Sequence, residues 1–115
     1  MKPLSNRTRR VGENIRSVLS KHIMVREHQV EKLNNVIITI TEVQPTPDLR
    51  HAKVFITSIG GEQKAVLDAL NSNSYLFSKL VAKEIKTKYS PKLSFHQDYS
   101  FEKAKKIEDL INLNK

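Results

Sequence analysis

Two apolar periods alternate along the chain, one near 3.6 residues and one of 2, and their order predicts the architecture. From Ser5 to Met24, Val11, Ile15, Val18, Leu19, His22 and Ile23 fall on one face while Arg9, Arg16 and Lys21 fall elsewhere, which predicts an amphipathic helix capped by Ser5 or Asn6. Gly12 costs such a helix about 1 kcal/mol relative to alanine, so it marks either close packing or a weak first turn. The polar stretch Val25 to Asn34 is ambiguous between a helical extension and a loop. Val36 to Val43 is β-branched and reads as a strand, and Gln44-Pro45-Thr46-Pro47-Asp48 ends it by removing backbone donors and supplying turn residues. Ala52, Val54 and Ile56 then alternate with Lys53, Phe55 and Thr57, the period of a strand with one covered face, so Arg50 to Ser58 pairs back as a hairpin. After Gly60-Gly61, Glu62 to Lys88 returns to helical spacing. Leu93 and Phe95 alternate over Lys92 to Gln97, a third strand, and Phe101, Ala104, Ile107, Leu110 and Ile111 resume helical spacing after Ser100, read as the N-cap. The predicted class is α+β: helix, strand, strand, helix, helix, strand, helix, with a three-stranded sheet covered by helices on one face.

Within Glu62 to Lys88 the apolar rhythm pauses. Val66, Leu67 and Leu70 make one stripe, Leu76, Phe77, Leu80, Val81 and Ile85 another, and Asn71-Ser72-Asn73-Ser74-Tyr75 lies between them. Asn and Ser side chains compete with helical backbone bonding, so this run predicts a bend at which one helix ends and Ser74 or Asn73 caps the next. A helix N-terminus of this kind offers free N–H donors to an anion.

Charge makes that bend a candidate interface. Twenty Lys and Arg stand against twelve Asp and Glu, a formal net charge of +8 with a pI near 9.8, which suits a polyanion. Lys79, Lys83 and Lys86 follow at helical spacing, and Arg7, Arg9 and Arg10 cluster at the start of the first helix, where positive charge is unfavourable beside the helix dipole. These cations read either as a track for RNA phosphates or as solvated helix faces. Asn71, Ser72, Asn73 and Ser74 read either as RNA contacts or as a capped break, and the Tyr75 ring either stacks on an unpaired base or seats over the core. Phe55 and Phe95, in alternating strand patterns, read as sheet packing rather than base platforms.

The remaining chemistry is sparse. The absence of cysteine excludes disulfides and thiolate sites, and the dispersed His22, His28, His51 and His96 form no metal signature, so neither a metal nor another cofactor is expected. No nucleophile, phosphate-gripping glycine loop or paired catalytic geometry is recognisable, which sets aside a small hydrolase. Apolar runs fall far short of the ~20 residues that span a bilayer, so the expectation is a cytoplasmic protein with no membrane partner. The length fits one domain, expected over residues 5–112, with flexible ends at 1–4 and 113–115.

Pro47-Asp48-Leu49-Arg50-His51-Ala52-Lys53-Val54 at the second strand, Ala69-Leu70-Asn71-Ser72 at the bend, Arg10-Val11 and Tyr89-Ser90-Pro91-Lys92-Leu93-Ser94-Phe95 together resemble the ribosome-binding factor A family, over nearly the whole chain as far as Ile107. The resemblance implies a type II KH-like fold and a non-enzymatic assembly factor; a monomer when free is expected. It also implies that the partners are the small ribosomal subunit and its rRNA, during late maturation. A general KH-like RNA-binding module is the alternative. In that family a helical kink, commonly Ala-x-Gly, replaces the Gly-x-x-Gly loop of ordinary KH domains. Asn73-Ser74-Tyr75 occupies its place in this chain and keeps neither the alanine nor the glycine.

Overall fold

The computed structural model describes residues 6–24, 33–85 and 90–113. Residues 1–5, 25–32, 86–89 and 114–115 lie outside the described residues, and with them the expectations placed on Ser5, Lys86, Lys88 and Tyr89. The elements run α1 (Asn6–Met24), β1 (Ile37–Pro45), β2 (His51–Ile59), α2 (Gln63–Ser72), α3 (Ser74–Ile85), β3 (Lys92–Gln97) and α4 (Ser100–Leu113). This is the α+β order predicted from periodicity. The sheet order is β1-β2-β3, with β1 antiparallel to β2 and β3 parallel to β2.

β1 runs two residues beyond the predicted Val43, and it carries a bulge. The register shifts between Ile40 and Glu42, leaving Thr41 without a partner. The inward parity therefore changes: Ile38 and Ile40 are buried before the bulge, Val43 and Pro45 after it, and Glu42 and Gln44 stay exposed. Pro45 pairs with Ala52 as the last residue of the strand. Gly12 explains how α1 lies so close to that edge. A Cβ on Gly12 would stand 2.7 Å from the Val43 carbonyl oxygen and 3.0 Å from the Pro45 ring, so its signal was close packing.

The core lies between the sheet and three helices. Ile15 and Leu19 of α1, Val66 and Leu70 of α2, and Phe77 and Val81 of α3 meet Ile40, Val54, Ile56 and Phe95 from the strands. Phe77 and Phe95 pack edge to face, ring centroids 5.5 Å apart. His22, placed by sequence on the apolar face of α1, is buried, and its Nε2 lies 3.5 Å from a Glu84 carboxylate oxygen on α3.

α4 departs from expectation. Ile107, Leu110 and Ile111 of its stripe, and Leu113 beyond it, are exposed and lie outside the core, since α1, α2 and α3 already cover the buried face of the sheet. Its start also differs: Ser100 is the first helical residue rather than the cap. Asp98 holds this junction, accepting from the Ser100 backbone N–H at 2.8 Å on Oδ1 and from the Thr41 hydroxyl on Oδ2. Bonds from the Ser100 hydroxyl, the Thr41 hydroxyl and the Ser100 N–H hold the Asp98 carboxyl below the ordinary carboxylate range. A depressed carboxyl adds stability above its unfolded pKa of about 3.9 and loses it as pH falls through the folded value. Asp98→Asn should therefore lower the thermal midpoint at neutral pH, with the gap to wild type closing as pH falls below about 4. A gap independent of pH would show that the carboxylate charge is immaterial.

Candidate nucleic-acid interface

The predicted bend exists, and it is tight. α2 ends at Ser72, α3 begins at Ser74, and Asn73 alone separates them with φ −111° and ψ 16°. The Asn73 amide turns backwards, donating to the Ala69 carbonyl at 2.8 Å, so it closes α2 rather than capping α3. Its backbone N–H also reaches the Ala69 and Leu70 carbonyls.

Asn71 has a second structural use. Its Nδ2 donates to the Phe95 carbonyl at 3.1 Å, and its Oδ1 accepts from the Phe95 N–H at 2.8 Å. In a parallel pair with β2, Lys92 and Asp98 aim their N–H groups at Arg50 and Ile56, which leaves Phe95 aimed at the outer edge of β3. One side-chain amide thus imitates a neighbouring strand there and ties the bend to the sheet. Two hydrogen bonds to part-buried backbone groups imply that Asn71→Ala costs about 2 kcal/mol in urea unfolding. Unchanged stability with weakened RNA binding would instead place this amide on RNA.

Around the bend, several side chains are open to solvent. Ser72 and Lys83 are exposed, and Tyr75 keeps 57% of its surface accessible, so its ring is not seated over the core. Ser74, Tyr75, Ser78 and Lys79 of α3 form one wall of a groove of about 520 Å³, and Ser90, Pro91, Lys92 and Leu93 form the other. Glu84, the acidic residue of α3, lies toward His22 at the far end of the helix.

A second concavity of about 420 Å³, lined by Arg50, His51, Ser90 and Lys92, shares Ser90 and Lys92 with the first. The turn before β2 shapes it. Asp48 Oδ1 accepts from the Thr46 hydroxyl at 2.6 Å and the Arg50 N–H at 3.1 Å, and the Thr46 N–H donates to the His51 carbonyl at 2.9 Å. The Thr46 hydroxyl and the Arg50 N–H hold the Asp48 carboxyl below its usual range. Leu49 takes φ 61° to close the turn. Pro47-Asp48-Leu49-Arg50 is thus a closed turn, and it presents Arg50 and His51 beside Lys92.

Arg7, Arg9 and Arg10 are exposed on α1. Arg9 lines a different concavity, of about 540 Å³, with Gly12, Glu13, Arg16 and Glu42 near β1, where acidic groups accompany it. The structure thus groups Lys79 with Lys92, and Lys92 with Arg50 and His51; Arg9 falls elsewhere. Sequence reading did not single out Arg50 and His51, which the pairing of β2 with β3 brings beside Lys92. Among the described residues, no three His, Asp or Glu side chains gather as a metal site, and no helix is long and apolar enough to cross a membrane.

The family model described as Ribosome-binding factor A matches residues 7–111. The chain belongs to the ribosome-binding factor A family. Ribosome-binding factor A of Zymomonas mobilis is 43% identical over 108 residues, covering 93% of this chain and 77% of the relative. That of Pelagibacter ubique is 42% identical over 111 residues, covering 96% and 91%. The crystal structure of ribosome-binding factor A from Thermus thermophilus superposes with a TM-score of 0.65 at 18% identity, covering 78% of this chain and 94% of that one. A Thermus thermophilus ribosome-binding factor A fitted into a cryo-EM map of a 30S complex gives 0.63 at 17% identity, covering 76% and 91%. The KH-like fold that ribosome-binding factor A shares is therefore the fold of this chain, with β2 and β3 parallel and a bend between α2 and α3.

Proposed function

We propose that this protein is a ribosome assembly factor that binds the small ribosomal subunit through its rRNA during late maturation, as a monomer, making and breaking no bond. The observation that carries the reading is the groove beside the bend, where an exposed tyrosine and Lys79 and Lys92 line a concave wall of a KH-like fold. Lysines supply mobile point charges for phosphates, and the ring supplies a face for an unpaired base. The family's name and the 30S complex of the Thermus thermophilus relative support the choice of particle. A net charge of +8 adds long-range attraction to any RNA, so the fold's shape has to supply the selection.

Sedimentation with purified particles tests this reading. The protein is expected to travel with small-subunit precursors and to be absent from assembled ribosomes. Equal binding to any RNA of similar length would favour a general RNA-binding module, and no binding to a small-subunit particle would refute the assignment.

A further inference from the structure

We propose that the outer face of the sheet carries a second RNA site, in which Phe55 and His96 form a stacking platform for a nucleobase and Lys53 receives the adjoining phosphate. This site rests on the RNA-binding reading above and adds a surface on the opposite side of the sheet from α3 and its bend.

Strand parity places the side chains. Val54 and Ile56 of β2 and Leu93 and Phe95 of β3 point into the core beneath α1, α2 and α3, so Lys53, Phe55, Ser94 and His96 point the other way. Phe55 and His96 are register partners on parallel strands, with ring centroids 5.7 Å apart and planes 35° apart. His96 is exposed and Phe55 half-buried, so their rings offer surface to solvent, whereas Phe95 is buried against Phe77. The His96 Nε2 and the Ser94 hydroxyl lie 2.9 Å apart, a hydrogen bond that holds the imidazole in place. A ring fixed in advance loses little freedom when a base stacks on it.

Charge on this face gives the ligand a direction. Lys53 is exposed one outward step before Phe55, about 6.6 Å along the strand. The acidic groups lie on other sides of the rings: Glu42 is the register partner of Phe55 in β1, and Asp98 follows the end of β3. Glu42 shares its concavity with Arg9 and Arg16, and Asp98 is engaged by Thr41 and by Ser100. The phosphate therefore lies toward Lys53 and the base over the rings. A nucleotide carries a flat face and, one sugar away, an anion, which matches this pairing of rings with a lysine. Bases in a duplex are covered by their neighbours, so the platform takes an unpaired one.

The chain contains no tryptophan, so Phe55→Trp supplies a single fluorescent reporter at the platform. A short single-stranded RNA should quench it saturably, the same RNA annealed to its complement should quench it far less, and quenching should persist in Lys79→Glu with Lys83→Glu, which disables the groove. Anisotropy of labelled RNA in that double-variant background separates the two contacts. His96→Ala should weaken binding about tenfold with the salt slope unchanged, and His96→Tyr should restore it. Lys53→Gln should weaken binding about fivefold at roughly 0.1 M salt and lower the slope of log K against log salt by about 0.7. Lys105→Gln, on exposed α4, is the control. Thermal midpoints of His96→Ala and Lys53→Gln, both at exposed positions, should stay close to wild type, so that lost binding is not lost folding. The site is overturned if both variants bind as the control does, and small-subunit binding that persists in wild type then leaves the assembly-factor reading standing. Equal quenching by duplex overturns the choice of an unpaired base. Stronger quenching by an acidic peptide than by RNA, or a tryptophan signal that changes with protein concentration alone, overturns the proposal in favour of a protein partner or a second copy. Wild type that binds neither RNA nor small-subunit particles removes the reading beneath it.

Discussion

Phe77→Ala is expected to lower the unfolding free energy by about 4 kcal/mol, the cost of truncating a buried phenylalanine to leave a cavity. Phe77 has no accessible surface and lies edge-on to Phe95, so the loss includes transfer of the ring, the unfilled space and the aromatic contact. The neighbourhood cannot readily collapse into the space. Asn71 clips α2 to β3 on one side, and the His22 to Glu84 approach joins α1 to α3 at the other end of the helix. A drop in thermal midpoint on the order of 15 °C should accompany it. A loss below about 1.5 kcal/mol would mean that α3 repacks freely and that the groove wall it carries is not rigid.

Charge reversal has the largest expected effect on binding. Lys79→Glu with Lys83→Glu takes the formal net charge from +8 to +4, two units per substitution, on one exposed face of α3. Affinity for a small-subunit particle should fall at least tenfold at moderate salt, with a salt slope shallower by about 1 to 2. Both side chains are exposed, so the thermal midpoint should move little. Titration of particle binding over a salt series, beside a melting curve, checks both parts. Unchanged affinity would rule out this face.

The strands and the core were legible because their signal is local. Ala52, Val54 and Ile56 point inward as their alternation requires, and β3 spans the predicted Lys92 to Gln97, whereas the bulge at Thr41 was not read from the β-branched run. The bend was legible too, since Asn and Ser interrupt the apolar rhythm. Which partner each asparagine takes was not. Asn71 reaches Phe95 and Asn73 reaches Ala69, and side-chain type alone does not separate such bonds from RNA contacts. The α4 stripe foretold the helix but not its exposure: helical period reports an apolar face, not whether space remains on the sheet to receive it. The Arg50, His51 and Lys92 cluster was hidden because β2 and β3 pair across two intervening helices, so their juxtaposition exists only in the register of the sheet.

Crosslinking on small-subunit precursors tests the central claim most directly, that the groove beside the bend is where this protein meets rRNA. Mass spectrometry of the crosslinked peptides should find RNA attached within Ser74 to Lys83 and at Lys92, with Tyr75 among the modified residues, and the yield should fall in Lys79→Glu with Lys83→Glu. RNA attached instead to α4, or to Arg7, Arg9 and Arg10 alone with the groove unmodified, would contradict the account.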